Sequence, residues 1–240
     1  MTAPAADATV QPWGAVEGTG LDRFFRPRFL VLSVVLWLAF GLLTVVVLSY
    51  PIWVPGDLAV AQWVQSVSWG PLSAAFGVIS WLSGGPQIVL AVLIVIAIFF
   101  VNRRATPLAL IAAVDAGIYD GLNTVIHKAR PTPGLIRVTE QAGAYAYPSG
   151  HATFVVTIVA VLLLCIGVRI LSRRLLLLAS LVGLAIVSIV GIERIYVGAH
   201  YPTDVLGGFL LASAWLSLLL SIRWLSDPVL NPRRPKPASM

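Results

Sequence analysis

Three short polar stretches interrupt an otherwise apolar chain, and each carries residue types suited to phosphate chemistry. They are Asn123-Thr-Val-Ile-His-Lys-Ala-Arg130-Pro131, then Pro148-Ser-Gly-His151, then Arg194 with His200 six residues on and Asp204 four further. The planar fork of an arginine fits phosphate oxygens better than a point charge does, so Arg130 and Arg194 are the candidate phosphate-binding cations. Pro131 disfavours helix at Arg130 and ends the preceding helix there. Ser149 stands at an N-cap position, and Gly150 allows a ligand close to backbone N–H groups that favour an anion. Pro202 fits a first helical turn, so His200 stands just before a positive helix end. Asp204 is about one turn further on, where a carboxylate holds one imidazole nitrogen and leaves the other as nucleophile. Two arginines, two histidines, a serine and an orienting carboxylate suffice for phosphoryl transfer without a metal. That reaction chiefly needs charge stabilisation and in-line partners.

Composition says where the elements that position these residues must lie. Of 240 residues, 58% are hydrophobic and only 11% charged, with a mean hydropathy of +0.91. A soluble domain carries about 25% charged residues, so this chain cannot cover a water-facing surface. Soluble, disordered, collagen-like and disulfide-rich classes are excluded, and the single cysteine, Cys165, forms no intramolecular disulfide. A membrane span needs about 20 apolar residues. The stretches 29–50, 105–127, 150–171, 175–192 and 205–225 qualify, with a shorter sixth at 86–102. Segment 71–83, cut by Pro71, Gly77 and Gly84-Gly85-Pro86, is interfacial or re-entrant rather than spanning. Segment 57–70 reads as an amphipathic helix on the outer surface. The expected fold is all-α: a six-transmembrane-helix bundle over 29–225 with an outer-face interfacial helix. Residues 1–28 and 226–240 are expected to be mobile cytoplasmic tails.

With six spans and a cytoplasmic N-terminus, twelve of the 16 Lys and Arg residues fall inside, and only Lys128, Arg130, Arg137 and Arg194 outside. That is the bias the positive-inside rule demands. It makes the chain a multi-pass cell-membrane protein with both termini cytoplasmic and all three polar stretches on the extracytoplasmic face. The cations are split between the two sides, which speaks against a nucleic-acid partner. The other outer acids, Asp57, Glu140 and Glu193, are too scattered in sequence for a two-metal site; neither a metal nor another cofactor is expected. Trp53, Trp63, Trp69, Trp81, Tyr50, Tyr145, Tyr147, Tyr196 and Tyr201 are expected to form an outer aromatic belt. Asp115 reads as a hydrogen-bonded carboxyl between helices. Lys128 has two readings, a phosphate cation or a favourable charge at a helix C-terminus.

At these positions the sequence resembles the type 2 phosphatidic acid phosphatase superfamily of integral membrane phosphatases. The family pattern is K-x6-R-P, P-S-G-H, then S-R-x5-H-x3-D, and the likeness runs from about residue 30 to 225. The resemblance implies that His200 attacks phosphorus and carries a phosphohistidine, with Asp204 orienting it. It implies that His151 protonates the leaving oxygen and then activates water, while Arg130, Ser149, Gly150 and Arg194 bind phosphoryl oxygens. Two positions depart from the pattern. Asn123 stands where the family has lysine, and Glu193 where it has serine. Lys128 replaces the missing cation only if the helix end unwinds, being about 140° around a helix from Asn123. Glu193 either adds a negative charge beside Arg194 or faces away. The implied activity is hydrolysis of phosphate monoesters or diphosphates of lipids, such as undecaprenyl diphosphate, phosphatidate or phosphatidylglycerol phosphate. The alternatives are a phosphotransferase using the same intermediate, or a lipid-phosphate binding or transport protein weakened in catalysis by Asn123.

Overall fold

Long apolar runs bounded by arginine, proline or glycine set the helices of the computed structural model, which describes residues 23–50, 52–82, 85–140 and 143–231. In chain order these are α1 (Pro27–Ser49), α2 (Asp57–Ser66), α3 (Leu72–Leu82), α4 (Pro86–Asn102), α5 (Thr106–Ala112) and α6 (Asp115–Ile126). Then follow α7 (Gly150–Leu162), α8 (Val168–Ile170), α9 (Arg173–Tyr196), α10 (Pro202–Ser221) and α11 (Arg223–Leu230). A π-helical turn, Leu163–Gly167, joins α7 to α8.

Among the described residues, five helical stretches are long and apolar enough to cross a membrane. One of them, Pro86–Ile126, has 41 residues and would be about 60 Å long if straight, twice a hydrocarbon core. It is broken at Asn102, whose backbone leaves the helical region (φ −147°, ψ 68°). The chain folds back there, so that Gln87 and Ile88 of α4 line the same cavity as Tyr119 and Asp120 of α6. The result is the expected all-helical bundle of six membrane-length legs. α3, with 11 residues, reaches only about 16 Å and cannot span. Its Phe76 instead packs between Trp69 and Tyr196, at ring distances of 5.9 and 5.0 Å.

α10 is the axis of the bundle: 56% of its apolar window is buried, against 17% for α1 and for α9. Its inner face carries Gly207, Gly208, Ala212 and Ala214, small residues that let helices approach closely without a hydrophobic driving force between them. A Cβ on Gly208 would lie 2.8 Å from that of Ala152, so α7 crosses α10 at this point. α1 and α9 turn Leu38, Leu42, Leu177 and Leu184 outward, an apolar exterior that lipid, not water, can cover.

The two ends of the bundle differ in charge. At the end away from the polar stretches, Asn102 Nδ2 donates to Cys165 O (3.1 Å) and Pro228 O (3.4 Å). Arg26 pairs with Asp227 at 2.5 Å, and its backbone N–H donates to Ser221 O. These contacts move the tail boundaries. Phe25 bridges Ile222, and α11 buries Ser226 and Val229, so residues 23–26 and 226–230 belong to the folded body. Pro27 and Arg28 already belong to α1, and residues 1–22 and 232–240 of the expected tails lie outside the described residues. The aromatic belt also needs correction. Trp63 and Trp81 are exposed as a belt requires, but Tyr147 and Tyr201 are wholly buried. Tyr147 stacks on Phe40 and shares a 2.9 Å hydrogen bond with Thr44, closing the loop before α7 onto α1.

Candidate active site

The third polar stretch becomes the turn between α9 and α10. Gly198 has φ +75° there, and any Cβ would strike Val138 at 2.9 Å, so only glycine makes this turn. Ala199 and His200 donate their backbone N–H groups to Arg194 O at 3.1 and 3.2 Å, which ties the histidine to the end of α9. His200 is 2% exposed. Its Nδ1 lies 2.9 Å from Ala146 O. A carbonyl only accepts, so Nδ1 holds the proton and Nε2 presents its lone pair, 3.4 Å from Arg130 Nη1. Burial, then the charges of Arg130, His151 and Arg194, hold His200 well below the usual imidazole range. It is therefore neutral at neutral pH, the form a nucleophile needs.

Asp204 does not hydrogen-bond His200 in this structure. Its Oδ2 is 3.9 Å from His200 Nδ1, beyond hydrogen-bond reach, and accepts from Tyr201 N at 2.8 Å. Its other oxygen takes Lys128 Nζ at 2.6 Å. The physical reason is local: α10 begins at Pro202, so Asp204 caps its own helix start. The imidazole is turned instead to a loop carbonyl.

Lys128 is likewise engaged by other groups. α6 stops at Ile126, and His127 adopts a left-handed conformation (φ 53°). The helix end does unwind, but it carries Lys128 inward. There the lysine is 3% exposed, donates to Thr203 Oγ1 (3.0 Å), and lies 3.6 Å from Asp57 Oδ2. Asp57 also accepts from the Thr203 backbone (3.0 Å) and hydroxyl (2.6 Å), fastening the start of α2 to α10. Asn123 donates to Tyr147 O at 3.2 Å and so supports the loop before α7.

Within that loop Ser149 is the N-cap of α7, as its position suggested. Its fully buried hydroxyl accepts from Ala152 N at 3.4 Å. The space above Gly150 is filled by the Tyr119 ring, 2.7 Å from where a Cβ would stand, so the glycine admits a side chain there. Ser149 thus fixes the start of α7, and Gly150 makes room for the Tyr119 ring. Arg130 is anchored by two carbonyls, Nε to Gly143 O (3.1 Å) and Nη1 to Ala199 O (2.8 Å).

Arg194 is fully buried and crowded by acids. Its Nε and Nη2 donate to Glu193 at 2.5 Å each. Its Nη1 and Nη2 grip Glu140 at 2.9 and 3.1 Å, Nη2 also meets Ser80 Oγ, and Nη1 is 3.3 Å from His151 Nε2. Glu193 thus faces the arginine, wholly buried, and Ser80 of α3 donates to it at 2.5 Å. Burial pushes the Glu140 carboxyl up, but the hydrogen bonds from Arg194 and Ser80 outweigh it, leaving Glu140 below its ordinary value and charged. Asp57, Ser80 and Glu140 were invisible as site residues. Their partners lie 146, 114 and 54 residues away, and no local spacing announces them. His127 stays exposed at the rim, edge-on to the Tyr145 ring.

Behind His151 opens a cavity of about 430 Å³ between α4, α6 and α7. Its walls are chiefly apolar, with Ile88, Ala91 and Phe154 among them, and Asp115 hydrogen-bonds Thr157 in its lining. Among the described residues, no three His, Cys, Asp or Glu side chains are gathered as metal ligands.

Two histidines, each with Nε2 against an arginine, stand at one end of an apolar six-legged bundle beside an apolar cavity. The chain belongs to the PAP2 superfamily, whose family model matches residues 76–227. It is also similar to the crystal structure of a transmembrane PAP2-type phosphatidylglycerolphosphate phosphatase from Bacillus subtilis. That match has a TM-score of 0.63 and 23% identity, covering 78% of this chain and 92% of the other; it shows the shared fold. A curated undecaprenyl-diphosphatase of Sulfolobus acidocaldarius is 40% identical over 75 residues, which are 31% of this chain and 32% of that relative's length.

Proposed function

We propose that this protein is a lipid phosphatase that works through a phosphohistidine at His200. The observation that carries this reading is the neutral, buried imidazole, locked by Ala146 O, with its free Nε2 beside Arg130. The Nε2 lone pair attacks phosphorus, and the bond from phosphorus to the lipid oxygen breaks. His151, protonated once the substrate's negative charge stands beside it, gives that oxygen its proton. A water then gives a proton to His151 and attacks phosphorus, which releases phosphate and restores His200. Arg130 carries the charge that builds on the phosphoryl oxygens. No step uses a metal.

A lipid substrate is favoured by the apolar cavity that begins at His151, a cleft with few polar groups and room for a chain. Both a terminal monoester and a diphosphate fit this chemistry, and the relatives named above act on one of each by their names. The arginine-rich far end, with Arg23, Arg26, Arg28, Arg103, Arg104, Arg169, Arg173, Arg174 and Arg223, supports a site on the extracytoplasmic face.

The test is phosphate release by purified protein, in detergent and chelator, from undecaprenyl diphosphate, phosphatidate and phosphatidylglycerol phosphate. Release from at least one, abolished in His200→Ala, is expected. Full release by that variant overturns the mechanism. A new phosphorylated acceptor in place of free phosphate identifies a transferase, and lipid binding without turnover identifies a binding protein.

A further inference from the structure

Arg194 holds a carboxylate where the proposed reaction needs a phosphate. Glu140 meets it bidentately, Nη1 to one oxygen at 2.9 Å and Nη2 to the other at 3.1 Å. That is the fork-to-fork geometry by which arginine also binds phosphoryl oxygens. The same Nη1 lies 3.3 Å from His151 Nε2, so the carboxylate stands next to the proposed proton donor. Glu193 grips Arg194 from the other side at 2.5 Å, and both of those side chains are fully buried. Glu140 differs from Glu193 in kind: its side chain is 29% exposed, and it comes from a loop rather than from α9 itself. Of the two carboxylates on this guanidinium, one is built in and the other can swing away.

Charge points the same way. With both glutamates in place, Arg194 is over-neutralised, one cation against two anions. Lys128 offers nothing, being spent on Asp204 and Asp57. A phosphoryl group cannot share Arg194 with both carboxylates, since like charges in one site exclude each other. Displacing Glu140 frees Nη1 beside His151 and uncrowds Nη2, which keeps Glu193 and Ser80.

We propose that Glu140 is a resident counter-anion of the phosphoryl site, holding the place that the substrate's phosphoryl oxygens take and leaving when they arrive. The inference rests on the phosphatase reading, and it adds a residue that sets how strongly anions bind. Glu140 is a positioning residue: it keeps Arg194 paired and oriented while the site is empty. It also raises the threshold for phosphate binding, so that a weakly charged anion does not enter.

The experiment compares wild type with Glu140→Gln, Glu140→Ala and Glu140→Asp in detergent. KM and kcat are measured on the best substrate of the panel, together with inhibition by orthovanadate and by inorganic phosphate. Glu140→Gln and Glu140→Ala should lower KM and both inhibition constants about three- to tenfold. This is a modest factor, because a partly exposed pair is screened by water. The gain should fall on KM rather than kcat, because the displacement is common to ground and transition states. Glu140→Asp, which keeps the charge, should stay within about twofold of wild type on both constants. Unchanged or raised constants in both neutral variants overturn the proposal. So does a loss of kcat with KM unchanged, the mark of a merely structural or catalytic role. The phosphate-induced rise in Tm is read in parallel and should grow in the neutral variants. That shift needs no turnover, so an inert wild-type protein would defeat the phosphatase reading while Glu140 is still tested.

Discussion

Lys128→Met separates two roles that the sequence left open. As a phosphate cation, Lys128 would affect KM and leave the fold intact. In the structure it is a buried ion-pair centre, 2.6 Å from Asp204 and 3.6 Å from Asp57, with side-chain exposures of 1%, 0% and 1%. At an effective dielectric of about 20, Coulomb's law gives roughly 6 kcal/mol for the nearer contact and roughly 5 for the farther. Desolvation and the mutual repulsion of the two carboxylates offset much of this. Removing one partner of such a buried pair typically costs about 3–5 kcal/mol, because the remaining charges have no solvent to turn to. In a chain this long that is a fall in Tm of roughly 6–20 °C. The assay is thermal unfolding in detergent of Lys128→Met, Asp204→Asn and the double variant. The double variant should recover part of the loss, since it removes an unpaired charge as well as the pair. Substrate KM should change little in whatever fraction stays folded. A normal Tm with a KM raised tenfold or more would refute the ion-pair role and restore Lys128 as a phosphate ligand.

Three further outcomes follow from the same geometry. Asp204→Asn should lower kcat by less than about 100-fold, because Ala146 O, not Asp204, holds the imidazole; losing a true orienting carboxylate costs about 10⁴-fold, and a fall of that size with an unchanged Tm would contradict the structure. The acid limb of the kcat/KM profile should lie below pH 6.5. His200 is held well below that value, and since its neutral form is the active one, activity is lost only as pH falls through the lowered value. The same sign makes the fold less stable at acid pH, where the unfolded chain takes up the proton first; a limb at or above pH 6.5 would show an exposed imidazole. Gly150→Ala should cost about 1–3 kcal/mol by overpacking, since its Cβ would stand 2.7 Å from the Tyr119 ring. Adding Tyr119→Ala should return most of that stability, and a melting experiment on the pair reads it directly.

The sequence by itself determined the apolar spans and picked out the polar side chains that gather at one end of the bundle. Hydropathy runs are a local property, and each leg of the bundle needed only its own residues to announce it. The histidines and arginines stood out because few polar groups survive in such a chain; His200, His151, Arg130 and Arg194 do meet at one end of the bundle. Ser149 was legible as a cap because capping is decided within one helical turn. What the sequence could not decide was which charge faces which. Spacing put Asp204 one turn from His200, but a capping bond and Lys128 take both of its oxygens. Lys128 was drawn inward by Asp57, its partner across 71 residues of chain. Glu193 and Glu140 met on Arg194 only when α9 and the loop before α7 came together. Charge pairing in a buried site is settled by whichever opposite charge is nearest in space, and nearness in space is what tertiary packing alone supplies.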